Sequence, residues 1–181
     1  MEVLVNSGKA TYIASSNFAG HDLVRAQWEA DKRYFLGLVA EQHQYHLLSR
    51  LPELEVIPAA RELGLGFVTY SPLAGGMLGE NALKRLSGSR GENRHYSEAM
   101  IKTLTDFADF CRELGEKQSD VAMAWILKNP VVTSPLIGPR TPEHLDNILH
   151  ALDVKLDDSA MKRLDEIFPG PGGEAPDSYA W

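Results

Sequence analysis

Cysteine is nearly missing: Cys111 is the single one in a chain of 181 residues, which excludes a disulfide framework. Long apolar runs are missing too. None approaches the ~20 residues a membrane span needs, so no membrane partner is expected. The opening from Met1 to Lys9 has no basic segment followed by a long apolar stretch, so no signal peptide is expected. Basic residues are outnumbered, 18 Lys and Arg against 25 Asp and Glu, and the net charge of −7 argues against a nucleic-acid partner. What remains is an ordinary globular composition, 44% hydrophobic and 24% charged. A chain of this size hides roughly 70% of its unfolded surface and can build a real core. A cytoplasmic protein of a reducing compartment is the expectation.

Short β-branched runs alternate with longer segments of helical period. Thr11 to Ala14, Gly37 to Gln42, Gly66 to Tyr70 and Leu136 to Gly138 are the expected strands. Between and after them, helices are expected over His21 to Tyr34, Glu53 to Leu63, Glu98 to Leu114, Val121 to Leu127, Pro142 to Leu152 and Asp157 to Phe168. Gly64 and Gly115 read as helix stops, and Ser119 as the cap of a helix apolar nearly all round. The polar stretch Ser87 to Arg94 reads as a mobile loop, and Pro169 to Trp181 as an extended strap. Strand and helix in alternation mean a parallel α/β sheet in one structural unit. Four strands could make a small open sheet or half of an eight-stranded barrel, and periodicity alone does not separate these.

Generic catalytic signatures are absent. No Gly-x-Gly-x-x-Gly follows a strand, no Gly-Lys-Ser/Thr loop exists, and no Gly-x-Ser-x-Gly elbow would make Ser71 a nucleophile. His43, His46 and Glu41 lack a second cluster to complete a metal site, so no metal is expected. The informative positions are the carboxyl ends of the strands, where α/β barrels bind ligands. Each end is polar or Gly-rich: Ser15-Ser16-Asn17-Phe18, Gln42-His43-Gln44-Tyr45, Tyr70-Ser71-Pro72-Leu73-Ala74-Gly75-Gly76 and Gly138-Pro139-Arg140-Thr141-Pro142.

At these ends the chain resembles the aldo/keto reductases. The resemblance is carried, in order, by Gly8-Lys9 leading to Tyr12-Ile13-Ala14-Ser15-Ser16-Asn17-Phe18, by Glu41-Gln42 and Tyr45, by Tyr70 to Gly76, and by Ile137-Gly138-Pro139-Arg140-Thr141-Pro142-Glu143. It runs nearly the whole chain, down to Pro171-Gly172-Gly173-Glu174-Ala175-Pro176. It implies a TIM-type (β/α)8 barrel, of which residues 1–181 resemble the C-terminal half, strands five to eight, as one domain truncated at its N-terminus.

The same resemblance implies NADP(H) as cofactor. Ser16, Asn17 and Gln42 match residues that hydrogen-bond the nicotinamide carboxamide, a group needing both a donor and an acceptor. Tyr70 matches the aromatic that stacks on the nicotinamide ring. Ser71, Pro72, Leu73 and Gly75 match the stretch beneath the pyrophosphate, and Gly138 and Arg140 the loop holding the adenosine phosphate. An arginine suits a 2′-phosphate, which favours NADPH over NADH. His144 stands where some members have Gln, Ala14 where Gly is usual, and the adenine-contacting pair falls on Asn147 and Ile148, so one of its polar groups is absent.

The family's catalytic tyrosine, lysine, aspartate and histidine belong to the first half of its barrel, and no segment here matches them. No catalytic residue is therefore assigned. The implied activity is NADPH-dependent reduction of an aldehyde or ketone, with this chain as the cofactor-binding half, inactive alone, and a small carbonyl substrate taken only when an N-terminal half completes it. Two other readings stand beside it: a non-catalytic dinucleotide-binding module like the potassium-channel β-subunits, and a truncated fragment without function. An opened barrel exposes two strand edges, so self-association into an oligomer is expected.

Overall fold

Four strands form one sheet in the computed structural model, which describes residues 1–87, 96–139 and 141–173. They are β1 (Ile13–Ser16), β2 (Leu38–Gln44), β3 (Gly66–Tyr70) and β4 (Val132–Pro135), all parallel and each beside the next in sequence. An open doubly wound sheet reverses its strand order at a switch point, whereas a barrel adds strands consecutively. The order β1-β2-β3-β4 is the barrel's. The helices are α1 (Glu2–Asn6), α2 (Gly20–Asp31), α3 (Val56–Glu62), α4 (Ala82–Ser87), α5 (Glu98–Leu114), α6 (Gln118–Lys128), α7 (Pro142–Leu149) and α8 (Asp158–Ile167).

Alternation along the strands gives the sheet two different faces. Ser15, Glu41, Phe67 and Thr69 are buried, while Ser16, Gln42, Val68 and Tyr70, which alternate with them, stay partly or fully exposed. The buried face continues into a core that includes Leu23, Leu104, Phe107, Val121, Ile126 and Leu164. α6 is buried from Val121 to Ile126, as its apolar circumference requires. Cys111 is among these residues; burial, aided by the Glu80 charge, pushes its thiol up to about 12, so it is a packing residue and no nucleophile.

β3 and α5 occupy their expected spans, and the other boundaries shift for local reasons. β1 begins at Ile13, where pairing with Leu38 becomes available, and Tyr12 stays outside with an exposed ring. α2 ends before Tyr34, whose φ of 52° is left-handed. α3 starts only at Val56, because an earlier start would demand an N–H that Pro58 does not have; Leu51–Glu53 forms a separate 3-10 turn. β4 lies at Val132–Pro135, not over Leu136 to Gly138, with Pro135 tolerated in a strand at the edge of the sheet; only Leu136 N–H continues the ladder, to Thr69 O at 2.7 Å. α6 has Lys117 at its N-cap position without a side-chain cap bond, and Ser119 lies in its first turn with its hydroxyl on Glu80. α7 stops at Leu149 and tightens into a 3-10 turn over His150–Leu152. Of the loop and the strap, residues 88–94 and 174–181 lie outside the described residues.

Arg50 ties the end of the chain to this sheet. Its guanidinium grips both oxygens of Glu53 at 2.8 and 3.0 Å, reaches Asp165 at 2.6 Å and the Phe168 carbonyl at 2.8 Å, and lies over Trp125. Tyr45 also donates to Glu53, at 2.9 Å.

His46 is 3% exposed, and burial holds its imidazole down, from 6.5 to about 4. Between these values the unfolded chain carries the extra proton. Stability is therefore complete above the unfolded value and falls as pH drops toward the folded one. His46→Gln should flatten that part of the profile, by at most about 3 kcal/mol between about pH 7 and about pH 4.5. Urea midpoints of the two proteins measured across that range check this, and parallel profiles would contradict it.

Candidate functional site

The carboxyl ends of β1 and β3 leave the strand through left-handed backbone at non-glycine residues, Asn17 at φ 59° and Ser71 at φ 56°, and Ala74 follows at 49°. Such conformations cost roughly 1–2 kcal/mol each and persist where surrounding bonds hold them. At Asn17 the hold is twofold. Its own N–H donates to the Gln42 carbonyl at 3.0 Å, and the next N–H, of Phe18, donates to the Glu41 carboxylate at 3.0 Å. Glu41 is fully buried; its Oε2 accepts from the Ser15 hydroxyl, and His43 Nδ1 lies 3.0 Å from Oε1, the oxygen that also takes the Phe18 N–H. This buried carboxylate fixes the turn that carries Asn17.

Four of the expected residues gather there. Tyr70 donates its hydroxyl to Asn17 Oδ1 at 2.9 Å across the sheet, and Asn17 Nδ2 donates to Ser16 Oγ at 3.2 Å. Ser16 pairs with Gln42 in the strand register. Seven more meet in a cavity of about 550 Å³ beside them: Ser71, Pro72, Leu73 and Gly75 from the loop after β3, Gly138 from the loop after β4, and His144 and Asn147 from α7. A Cβ placed on Gly75 or Gly138 would meet no atom within 4 Å, so the backbone there fronts open space. Gly75 also needs its φ of 65°. Thr141 caps α7 by accepting from His144 N–H at 3.2 Å, and that helix start borders the cavity, favourable to an anion. Arg140, the twelfth residue, lies outside the described residues.

Four further lining residues were not anticipated. Glu80, Lys117, Ser119 and Asp120 line the same cavity. Burial raises the Glu80 carboxyl, but the bonds from Ser119 N–H and Oγ–H at 3.2 and 2.7 Å, with the Lys117 charge, outweigh it and leave Glu80 below its ordinary value. Burial keeps the Asp120 carboxyl above its ordinary value. No spacing in the sequence announces these residues, since they come from two distant segments. Glu41 was legible in principle, as the one carboxylate in the strand, directly after Leu38-Val39-Ala40. The cavity is thus lined by the start of α7, which favours an anion, and by the charged side chains Glu80, Lys117 and Asp120.

A sequential parallel sheet with a ligand-sized cavity at the carboxyl ends of its strands defines a (β/α)-barrel protein. Residues 1–168 match the Aldo/keto reductase family, and the chain belongs to that family. A Bacillus subtilis (strain 168) protein named Uncharacterized oxidoreductase YrpG is 56% identical over 181 residues, covering 99% of this chain and 56% of its own length. The Versiconal hemiacetal acetate reductase of Aspergillus parasiticus is 30% identical, over 91% of this chain and 50% of its own. A Schizosaccharomyces pombe protein whose name carries the words voltage-gated potassium channel subunit beta is 29% identical, over 91% and 52%. The chain spans about half the length of the curated relatives it matches. Its four strands are a part of the family's barrel, and among the described residues no helix is long and apolar enough to cross a membrane.

Glu41→Ala should strip the acceptor shared by Ser15, Phe18 and His43, costing about 2–4 kcal/mol of stability. Urea unfolding measures this. A loss under about 0.5 kcal/mol, the range of ordinary surface changes, would mean the turn holds itself.

Proposed function

We propose that this chain is the NADPH-binding part of an aldo/keto reductase that reduces an aldehyde or ketone to an alcohol. The observation that carries the reading is the cavity after β3 and β4, which collects the residues matching the family's pyrophosphate and adenosine contacts and sits next to the Tyr70–Asn17–Ser16 group. The residues fit a dinucleotide. Open backbone at Gly75 and Gly138 admits phosphate closely, and the α7 N-terminus favours its charge. Bound there, the reduced nicotinamide supplies a hydride. Asn17 and Gln42 orient its carboxamide, Tyr70 offers a ring face against it, and Arg140 takes the 2′-phosphate of the adenosine. No residue of this chain is assigned the proton-donor role, which completion by an N-terminal half would provide. On this reading the chain alone binds cofactor without turnover, and its half-exposed sheet face draws copies together.

Fluorescence titration with NADPH beside NADH tests the reading on the purified, folded chain. Micromolar binding with NADPH preferred is expected, and absence of binding by folded protein would refute it. Arg140→Ala should weaken NADPH by about 1.5–3 kcal/mol and barely change NADH, while Asn17→Ala weakens both alike. Equal losses in Arg140→Ala would exclude the 2′-phosphate role. Light scattering on the same sample should give a dimer or larger, and a monodisperse monomer at micromolar concentration would remove the self-association.

A further inference from the structure

At the edge of the cavity, three side chains from separate segments converge. Glu116 follows the left-handed Gly115 that ends α5, Asp120 lies in the first turn of α6, and His150 opens the 3-10 turn after α7. One oxygen from each carboxylate and one imidazole nitrogen lie within 4.8 Å of one another. His150 Nε2 already stands 2.9 Å from Glu116 Oε2. An ion pair would account for those two alone.

Asp120 is what an ion pair leaves unexplained. It is 1% exposed, and its Oδ2 has no hydrogen-bond partner. Its other oxygen accepts from the Ser119 hydroxyl at 3.3 Å. That hydroxyl has one hydrogen, and it is better placed on Glu80 Oε1 at 2.7 Å. Among the described residues no ion pair joins Asp120 to Lys117, although that charge lies close enough to be felt. A buried carboxylate with one oxygen unpartnered and the other held only by a long, shared hydroxyl bond is a costly arrangement, and a bound cation relieves it.

We infer that Glu116, Asp120 and His150 form a binding site for one divalent cation of the zinc class, set at the edge of the cavity and independent of the cofactor reading. Two carboxylates and one imidazole are a borderline donor set, matched to Zn²⁺, Fe²⁺ or Mn²⁺; Ca²⁺ asks for six or more oxygens. Bonds of about 2.0–2.2 Å put tetrahedral ligands about 3.3 Å apart. Glu116 and His150, 28% and 49% exposed, have room to close on Asp120 to that spacing. Three protein ligands leave the fourth position for water or for a donor atom of a molecule in the cavity, whose wall Asp120 forms.

The test uses the full chain, stripped with EDTA and dialysed. Calorimetric titration with ZnCl₂ should show one equivalent bound at micromolar affinity or tighter, MgCl₂ should give no saturable heat, and Co²⁺ should produce the visible absorption of a tetrahedral centre. Asp120→Asn and His150→Gln should each weaken Zn²⁺ at least about tenfold, with His21→Gln, remote and exposed, unchanged. His150 is on the surface, so that variant stays informative even where Asp120→Asn disturbs folding. Absence of saturable Zn²⁺ binding, or affinity unaltered by His150→Gln, overturns the site and leaves an ion pair beside a buried carboxylic acid. NADPH affinity plays no part in any of these outcomes.

Discussion

A carboxylate without solvent access is the constraint around which the strand ends are arranged. Glu41 is tolerable at 0% exposure only because donors meet it from three places: the Ser15 hydroxyl on the neighbouring strand, the Phe18 N–H in the turn beyond, and the His43 ring two residues on. Meeting them draws β1 against β2, sets where β1 stops, and turns the chain so that Asn17 faces Tyr70. The polar residues on the half-exposed face are therefore positioned from behind, by a charge on the buried one. A hydrophobic residue at Glu41 would pack in the same layer without specifying any of this.

The cavity shows a different economy. Its lining includes backbone at Gly75 and Gly138, the start of α7, and the charged side chains Glu80, Lys117 and Asp120. That the chain covers about half of its relatives' length fits the sheet, whose second face is polar and half-exposed where parallel sheets are ordinarily covered on both sides.

Legibility in the sequence followed the range of the forces involved. α5 was readable to the residue because its signals are local: a Ser97 cap, an amphipathic run and a left-handed Gly115. β3 was equally plain, bounded by Gly66 and Pro72. β4 was misplaced because the strand was read from Leu136-Ile137-Gly138, whereas β3 ends at Tyr70 and its pairing falls on Val132 to Pro135. Most of the cavity's residues were reached through motif resemblance, since they lie in loops at strand ends. Glu80 and Asp120 were not, because what joins them is packing between segments that only the fold brings together.

The Arg50 grip on Asp165 and Phe168 spans 115 residues to the first of these partners, and Phe168 in turn packs edge-on against Phe107. α8 is thus a lid on the core, held at its last turn and at the residue that follows it. Until Leu164 and Phe168 seat, the core residues of α5 and α6 keep an apolar seam open. Closing so long a loop carries an entropic cost that local helices do not face. The vulnerable moment in this protein's life falls between synthesis of α6 and docking of α8, when shielding by a chaperone would matter most.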